Sequence, residues 1–276
     1  MGVSERVLRR ALGALVRSGW LLAAAAAACT ELAPGSDRLE SQIALNRPEA
    51  GVDDPRWACL DQPPVGAAAS VVPSVELALA VVDSISGVPP AGLTARACEK
   101  IDVSCAMPVM DSALVAADGR LHLSVHQQFD GYVELTSPSS VPTMYFLNRG
   151  LMQDSSEVLT TISSAALAAL AAQGNVTLAP ALGHLLIRTF DCLGEPASGV
   201  ALSSSGGGLP FAFVDGLPNV GADITSDSGL GGFVNVPVGL AVLEGRRVEG
   251  DRSLGQANVV VRPGWFTYGD VEPLPQ

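Results

Sequence analysis

The chain has 276 residues, 48% of them hydrophobic but few aromatic, with 29 glycines, 19 prolines and a formal net charge of -12. Removing residues 1–28, which hold four arginines and one glutamate, leaves about 248 residues with 12 basic and 27 acidic side chains, a net charge near -15 and enough chain for one large or two small domains. Such a surface repels nucleic acid and anionic headgroups, so charge gives no reason to expect either as a partner.

In chain order, Arg6, Arg9, Arg10 and Arg17 precede an apolar run from Ser18 to Ala28 that stops at Cys29. A basic start followed by about 11 apolar residues matches a signal peptide, since a spanning helix needs roughly 20. The small residues Ala26-Ala27-Ala28 directly before Cys29 resemble the lipobox of bacterial lipoproteins, with Ala26 where that family usually carries leucine. The resemblance implies that Cys29 is acylated and becomes the new N-terminus; plain secretory cleavage is the alternative. Residues 29–70 follow as lipidated terminus and tether: 30 to about 56 are polar and proline-punctuated, and Trp57-Ala-Cys59-Leu60 begins something more ordered.

A first β domain is expected over 71–150. Val75–Val82 reads as a strand, Asp83–Gly92 as a turn and Leu93–Cys98 as the return strand. Asp118-Gly119 marks a hairpin, after which Leu121, Leu123 and Val125 face one way and His122, Ser124 and His126 the other. Tyr132–Thr136 and Thr143–Leu147 supply further strands. Over 151–175, Asp154-Ser-Ser-Glu157 has the form of a capping box, and Val158, Leu159, Ile162, Ala166 and Leu170 recur at helical spacing up to Gly174, which predicts a linker helix.

A second β domain is expected over 176–276, because the same landmarks return about 110 residues later. Asp83, Gly87, Pro89 and Gly92 align with Asp191, Gly194, Pro196 and Gly199; Asp118-Gly119 aligns with Ser228-Gly229, and Gly131 with Gly239. Matched landmarks in order argue for duplication. The pattern Asp-x-x-x-Gly-x-Pro-x-x-Gly-hydrophobic, with a later Asp-Gly or Ser-Gly and an alternating strand, resembles the carboxypeptidase regulatory-like, prealbumin-like β-sandwich family. It covers roughly 75–150 and 183–268. The resemblance implies two small sheets packed face to face in each half, so the expected fold is mainly β: two small sandwiches joined by one α-helix. The family is nearly silent on function, its members serving as folding aids, spacers, adhesin stalks and ligand-binding modules.

Chemistry is sparse. His122 and His126, on a strand rising roughly 3.3 Å per residue, stand about 13 Å apart, too far to share one metal. His184 stands alone. No Gly-x-Ser-x-Gly, His-Glu-x-x-His or Gly-x-x-x-x-Gly-Lys occurs, and Ser203–Gly208 reads as a loop between strands and not a phosphate cradle. Asp215, Asp223 and Asp227 lack calcium-loop spacing. No catalytic, cofactor or metal site is therefore expected. Four cysteines remain beside Cys29 in an exported chain. Cys98 and Cys105 are seven positions apart, and short-range closure predicts that they pair. Cys59 and Cys192 are left either to bridge the tether region to the second domain or to stay reduced.

The expectation is a membrane-anchored, non-catalytic lipoprotein of the cell envelope, held by its lipid and meeting a protein or carbohydrate ligand through loops. The outer membrane is favoured because Thr30 lacks the aspartate that often marks inner-membrane retention. The competing reading is an envelope hydrolase acting on peptide or sugar through a carboxylate pair.

Overall fold

The computed structural model describes residues 54–61 and 73–273. The expected signal peptide, Cys29 and most of the expected tether lie outside the described residues. A 3-10 helix over Pro55–Asp61 precedes β1 (Ser74–Asp83), β2 (Thr94–Glu99), β3 (Met110–Leu114), β4 (Arg120–His126), β5 (Gly131–Thr136), β6 (Thr143–Phe146) and β7 (Ser155–Thr161). The helix α1 (Ser164–Gln173) then leads to β8 (Gly183–Thr189), β9 (Val200–Ser204), β10 (Leu209–Val214), β11 (Leu217–Val220), β12 (Leu230–Val236), β13 (Gly239–Arg247), β14 (Arg252–Val261) and β15 (Phe266–Val271). The protein is mainly β, two sandwiches with one α-helix between them among the described residues.

The strands form three sheets. A three-stranded sheet runs β4-β1-β7, a nine-stranded sheet runs β11-β10-β12-β8-β15-β6-β5-β2-β3, and a second three-stranded sheet runs β14-β13-β9. The pairing of the first half returns in the second. The strand β1 is antiparallel to β4 and parallel to β7, as β8 is antiparallel to β12 and parallel to β15. Likewise β5 lies antiparallel between β2 and β6, as β13 lies between β9 and β14. The turns match as well: the Val81 amide donates to the Gly119 carbonyl at 2.9 Å, and the Thr189 amide to the Gly229 carbonyl at 2.8 Å. Both glycines have positive φ, and a Cβ on either would collide with the carbonyl that precedes it across the ladder, which is why Asp-Gly and Ser-Gly recur at these two points.

The halves meet edge to edge. The strand β15 pairs in parallel with β6, Thr143 opposite Phe266 and Phe146 opposite Gly269, and this joins strands of both halves into one sheet. That sheet is covered on both faces. Tyr145, Leu186, Val133 and Tyr268 enter one apolar core together with β1, β4 and α1 residues. Their strand neighbours Met144, Phe146, Leu185, Ile187 and Tyr132 enter a second core with β13 and β14. Strands buried on both faces carry apolar residues at successive positions, as Met144–Phe146 of β6 and Leu185–Ile187 of β8 do, while β15 buries Thr267 and Asp270 by pairing them with the Val260 carbonyl and Arg188. The strand β4 has one face in solvent and alternates strictly, Leu121, Leu123 and Val125 inward and His122, Ser124 and His126 outward.

The linker differs from its prediction. Residues 155–161 form a strand and not the first turns of a helix; the helix begins at Ser164, its N-cap being Ser163, whose Oγ accepts from the Ala166 amide at 3.1 Å. The reason is competition. Val158, Thr160 and Thr161 are β-branched and lose χ1 freedom in a helix, while β1 offers a parallel edge that pairs Leu77 with Ser155 through Asp83 with Thr161. Asp154, the expected cap, instead accepts from the Glu76 amide at 2.8 Å.

Candidate functional site

The side chains singled out in the sequence do not converge. His122 and His126 stand on the exposed face of β4 and each takes its own partner, His122 Nδ1 to Glu76 Oε1 at 2.6 Å and His126 Nε2 to Glu99 Oε1 at 2.7 Å. The Gln127 carbonyl, then Glu99, raise the pKa of His126. His184 is 3% exposed, packs on the Phe266 ring, and its Nδ1 accepts from the Asn235 amide at 3.3 Å; burial pushes its pKa down to about 4. Asp215, Asp223 and Asp227 are exposed on separate turns around β10–β12.

Among the described residues, the only group of three or more metal-ligating side chains drawn together is Cys98, Cys105 and Glu134, and its chemistry is already committed. Cys98 and Cys105 are joined in a disulfide, their Cα atoms 5.4 Å apart. The buried Glu134 carboxylate is held between Arg96 and Arg262. Arg262, arriving from the end of β14, also donates through Nη2 to the Val103 carbonyl at 2.5 Å and to Tyr132 Oη at 2.8 Å, and Tyr132 Oη donates to the Asp102 carbonyl at 2.5 Å. Asp102 in turn accepts from the Met107 amide at 2.7 Å and from Ser104 Oγ at 3.1 Å, amide bonds that lower its pKa. The loop between β2 and β3 is thus closed covalently and pinned by the other half. It turns apolar side chains outward: Ile101 is 92% exposed, Met107 80%, with Val103 and Val109 beside them.

A second polar cluster lies at the junction of the halves. Arg188 on β8 grips Asp270 on β15 with Nε to Oδ1 at 2.8 Å and Nη2 to Oδ2 at 2.7 Å, reaches Glu157 on β7 at 2.9 Å, and donates to the Val158 carbonyl at 2.8 Å. Tyr145 Oη donates to Asp270 at 3.0 Å. The guanidinium also lies over the rings of Phe190 and Tyr268 at 4.8 and 5.5 Å. Burial opposes the charge on Arg188, but the Asp270 bond outweighs it and the pKa rises. Burial likewise raises Tyr145 and Tyr268, and raises Glu272 beside them. Glu157 and Asp270 are two carboxylates brought close, yet both are spent on one guanidinium, so the arrangement fastens strands and leaves neither oxygen pair open to a substrate. No buried side-chain nitrogen or oxygen among the described residues lacks a hydrogen-bond partner.

No protein-family model matches the chain, and no curated protein matches its sequence. Among solved structures, the chain is similar to the Bacillus anthracis TIE protein at 10% identity, covering 72% of this chain and 34% of that one with a TM-score of 0.26. It is similar to the shaft pilin SpaA from Lactobacillus rhamnosus GG at 11% identity, covering 74% and 100% with a TM-score of 0.24. The minor pilin GBS52 of Streptococcus agalactiae stands at 11% identity, 73% and 98%, with a TM-score of 0.22. The chain thus spans about a third of the length of the first of these.

The covalent clip at the N-terminal end of the described chain was left open by the sequence. Cys59 and Cys192 form a disulfide, Cα atoms 5.7 Å apart, and Arg56 Nε meets Asp191 Oδ2 at 2.5 Å. Sequence reasoning passed over Arg56, Arg188, Arg262, Glu134 and Asp270. The signal available was a lone charge inside an apolar run, as in His-Leu-Leu-Ile-Arg188-Thr-Phe and Tyr-Val-Glu134-Leu, because a charge is seldom placed there without a partner. No helix among the described residues is long and apolar enough to cross a membrane.

Proposed function

We propose that the protein is a non-catalytic binding module of the cell envelope, anchored through an acylated Cys29 and presenting a locked loop to a protein or carbohydrate partner. The loop closed by Cys98–Cys105 carries this reading. It exposes Ile101 and Val103 within the closed ring and leads directly to the exposed Met107 and Val109, while Arg262 and Tyr132 hold its backbone, so little conformational freedom is lost on binding. Two disulfides support export to an oxidising compartment. The matched strand pairings and turn hydrogen bonds support reading the halves as duplicated sandwiches of the carboxypeptidase regulatory-like kind.

Two measurements on the full chain test it. Intact mass and fractionation of wild type and Cys29→Ala should show a diacyl or triacyl N-terminus in envelope membranes for the first and unlipidated precursor for the second. A mature N-terminus at any other residue removes the anchor from the reading. Crosslinking in cells should capture a partner with wild type and lose it with Ile101→Asp/Met107→Asp, whose side chains are already solvent-exposed; capture that survives the double substitution removes the loop.

A further inference from the structure

The two sandwiches carry the same aspartate at the same turn; in the second half the Pro55–Asp61 segment seals it, and in the first it takes the Ser163 amide, keeps 9% exposure and borders an open cleft. In the second half the Asp191 side chain is wholly buried. Its Oδ1 accepts from the Leu193 and Glu195 amides at 2.9 and 3.0 Å, and its Oδ2 accepts from Arg56 Nε. Arg56 Nη2 donates to the Pro196 carbonyl at 2.9 Å, the Arg56 carbonyl accepts from the Cys192 amide at 2.9 Å, and the buried Trp57 ring lies 4.9 Å from the Arg247 guanidinium at the end of β13. The segment Pro55–Asp61 therefore rests on two surfaces, the β8–β9 turn and the end of β13.

In the first half, Asp83 Oδ1 accepts from the Ile85 and Ser86 amides at 3.1 and 2.9 Å, the counterpart of the Asp191 turn, and Oδ2 accepts from the Ser163 amide at 3.1 Å. The corresponding two surfaces are the β1–β2 turn, with Pro89 in the place of Pro196, and the residues after β5. Between them lies an open cleft of about 240 Å³ lined by Asp83, Ser86, Pro89, Pro90, Ser140 and Ser163. A water needs roughly 10–15 Å³ of such space, so the cleft has room for a side chain and part of a backbone.

We propose that this cleft is the docking site for an arginine-bearing peptide turn of a partner protein, its guanidinium reaching Asp83 as Arg56 reaches Asp191. Three observations favour that occupant. The molecule already solves the equivalent contact with Pro-Arg-Trp on its own second sandwich. A partly buried carboxylate forms its strongest hydrogen bonds with a guanidinium fork. The net charge near -15 of the chain beyond residue 28 draws a cationic side chain toward the surface. The chain's own Pro55–Asp61 is not the occupant, since the Cys59–Cys192 bond holds it to the second half.

This rests on the binding-module reading and names the partner's chemistry. The test titrates a fluorescent peptide of residues 54–61, carrying Cys59→Ser, into the mature, disulfide-intact protein and follows anisotropy. One saturable site is expected. Its affinity should fall at least ~10-fold with Ala91→Trp, which fills the cleft from an exposed position without touching the core, with Asp83→Asn, and with Arg56→Met in the peptide. Thermal melts establish that both protein variants are folded, and Ala91→Trp decides the matter if Asp83→Asn is not. Absence of saturation up to about 1 mM, binding indifferent to Ala91→Trp, or displacement of the peptide by a neutral oligosaccharide such as maltotriose overturns the proposal. Should the peptide fail to bind while partner crosslinking still depends on Ile101 and Met107, the cleft falls and the binding-module reading stands. Loss of the crosslink with peptide binding intact gives the reverse.

Discussion

Arg188 is 12% exposed in its side chain, between an 11% exposed Asp270 and Glu157, and its neighbours on the ring side are aromatic. Removing a partner from a buried, hydrogen-bonded ion pair leaves charge without compensation, typically at about 3–5 kcal/mol, whereas an exposed pair is worth ~1 kcal/mol or less. Arg188→Met should therefore destabilise the protein by about 3–5 kcal/mol in urea melts, and Arg120→Met, whose pair with Asp118 is exposed, by under ~1 kcal/mol. Pairing Arg188→Met with Asp270→Asn should cost less than the sum of the two alone. His184 makes a second prediction. Its pKa is about 4 in the fold against an ordinary 6.5, so as pH falls the unfolded chain takes up a proton first. Stability is fully present above pH 6.5 and drains away down to pH 4, by up to about 3 kcal/mol at 1.36 kcal/mol per unit. Carboxylates such as Asp83, held low by hydrogen bonds from the Ser86, Ile85 and Ser163 amides against the opposing pull of burial, lose stability in the same direction as they protonate. The diagnostic is the difference between proteins: His184→Gln keeps an acceptor for the Asn235 amide, and its stability curve should be flatter between pH 6.5 and 4.5. Parallel curves would mean that His184 titrates normally.

At the level of elements, the two disulfides do unequal work because they close loops of unequal length. Cys59–Cys192 spans 133 positions and Cys98–Cys105 spans seven. On the chain-entropy model the first restricts the unfolded chain by about 5 kcal/mol and the second by roughly 2 kcal/mol. Cys59→Ser/Cys192→Ser should thus lower stability by more than Cys98→Ser/Cys105→Ser. Its effect should grow further from the release of Arg56 and Trp57, which leaves the Asp191 carboxylate buried without its cation. Equal losses in the two double variants would show that local contacts, not loop closure, set the cost. The Cys98–Cys105 pair has a different role: its removal should loosen residues 99–109, raising hydrogen exchange of the Cys105 and Met107 amides, which now donate to Asp102.

For the whole molecule, the parallel pairing of β6 with β15 makes each half the completion of the other. Phe266 and Tyr268 of β15 lie in the core built on β1 and β4, and Tyr132, Met144 and Phe146 of the first half lie in the core built on β13 and β14. Halves sharing both cores unfold together, so calorimetry of the disulfide-intact chain should give one transition with calorimetric and van't Hoff enthalpies in agreement. A fragment ending at residue 182 should be poorly soluble, because it exposes β6 as an open edge together with Met144 and Phe146. Two separated transitions, or a soluble folded fragment, would show that the sheet is continuous in geometry but not in energy.

Local rules made much of the fold legible. Asp118-Gly119 and Ser228-Gly229 announced two turns that require positive φ, the alternation through Leu121, Leu123 and Val125 gave the face of β4, and the spacing of Asp83 and Asp191 from Pro89 and Pro196 gave the internal repeat. These are contacts between residues near in sequence, or patterns set by one solvent boundary, and the chain carries them openly. The rest depended on partners that sequence distance hides. Val158, Leu159 and Ile162 had helical spacing behind a capping sequence at 154–157, but the β-branched residues and the free edge of β1 make Ser155–Thr161 a strand. Arg56, Arg188 and Arg262 find their carboxylates 135, 82 and 128 positions away, separations that carry no periodic mark. The apolar runs in β6 and β8 are covered on both faces, and nothing in the runs themselves says by what. The composition, the turns and the repeat were therefore fixed by sequence alone. Which edges join, which charges pair and which of two equivalent aspartates is left beside an open cleft were decided by the tertiary structure, because each depends on bringing together surfaces that only the folded chain makes adjacent.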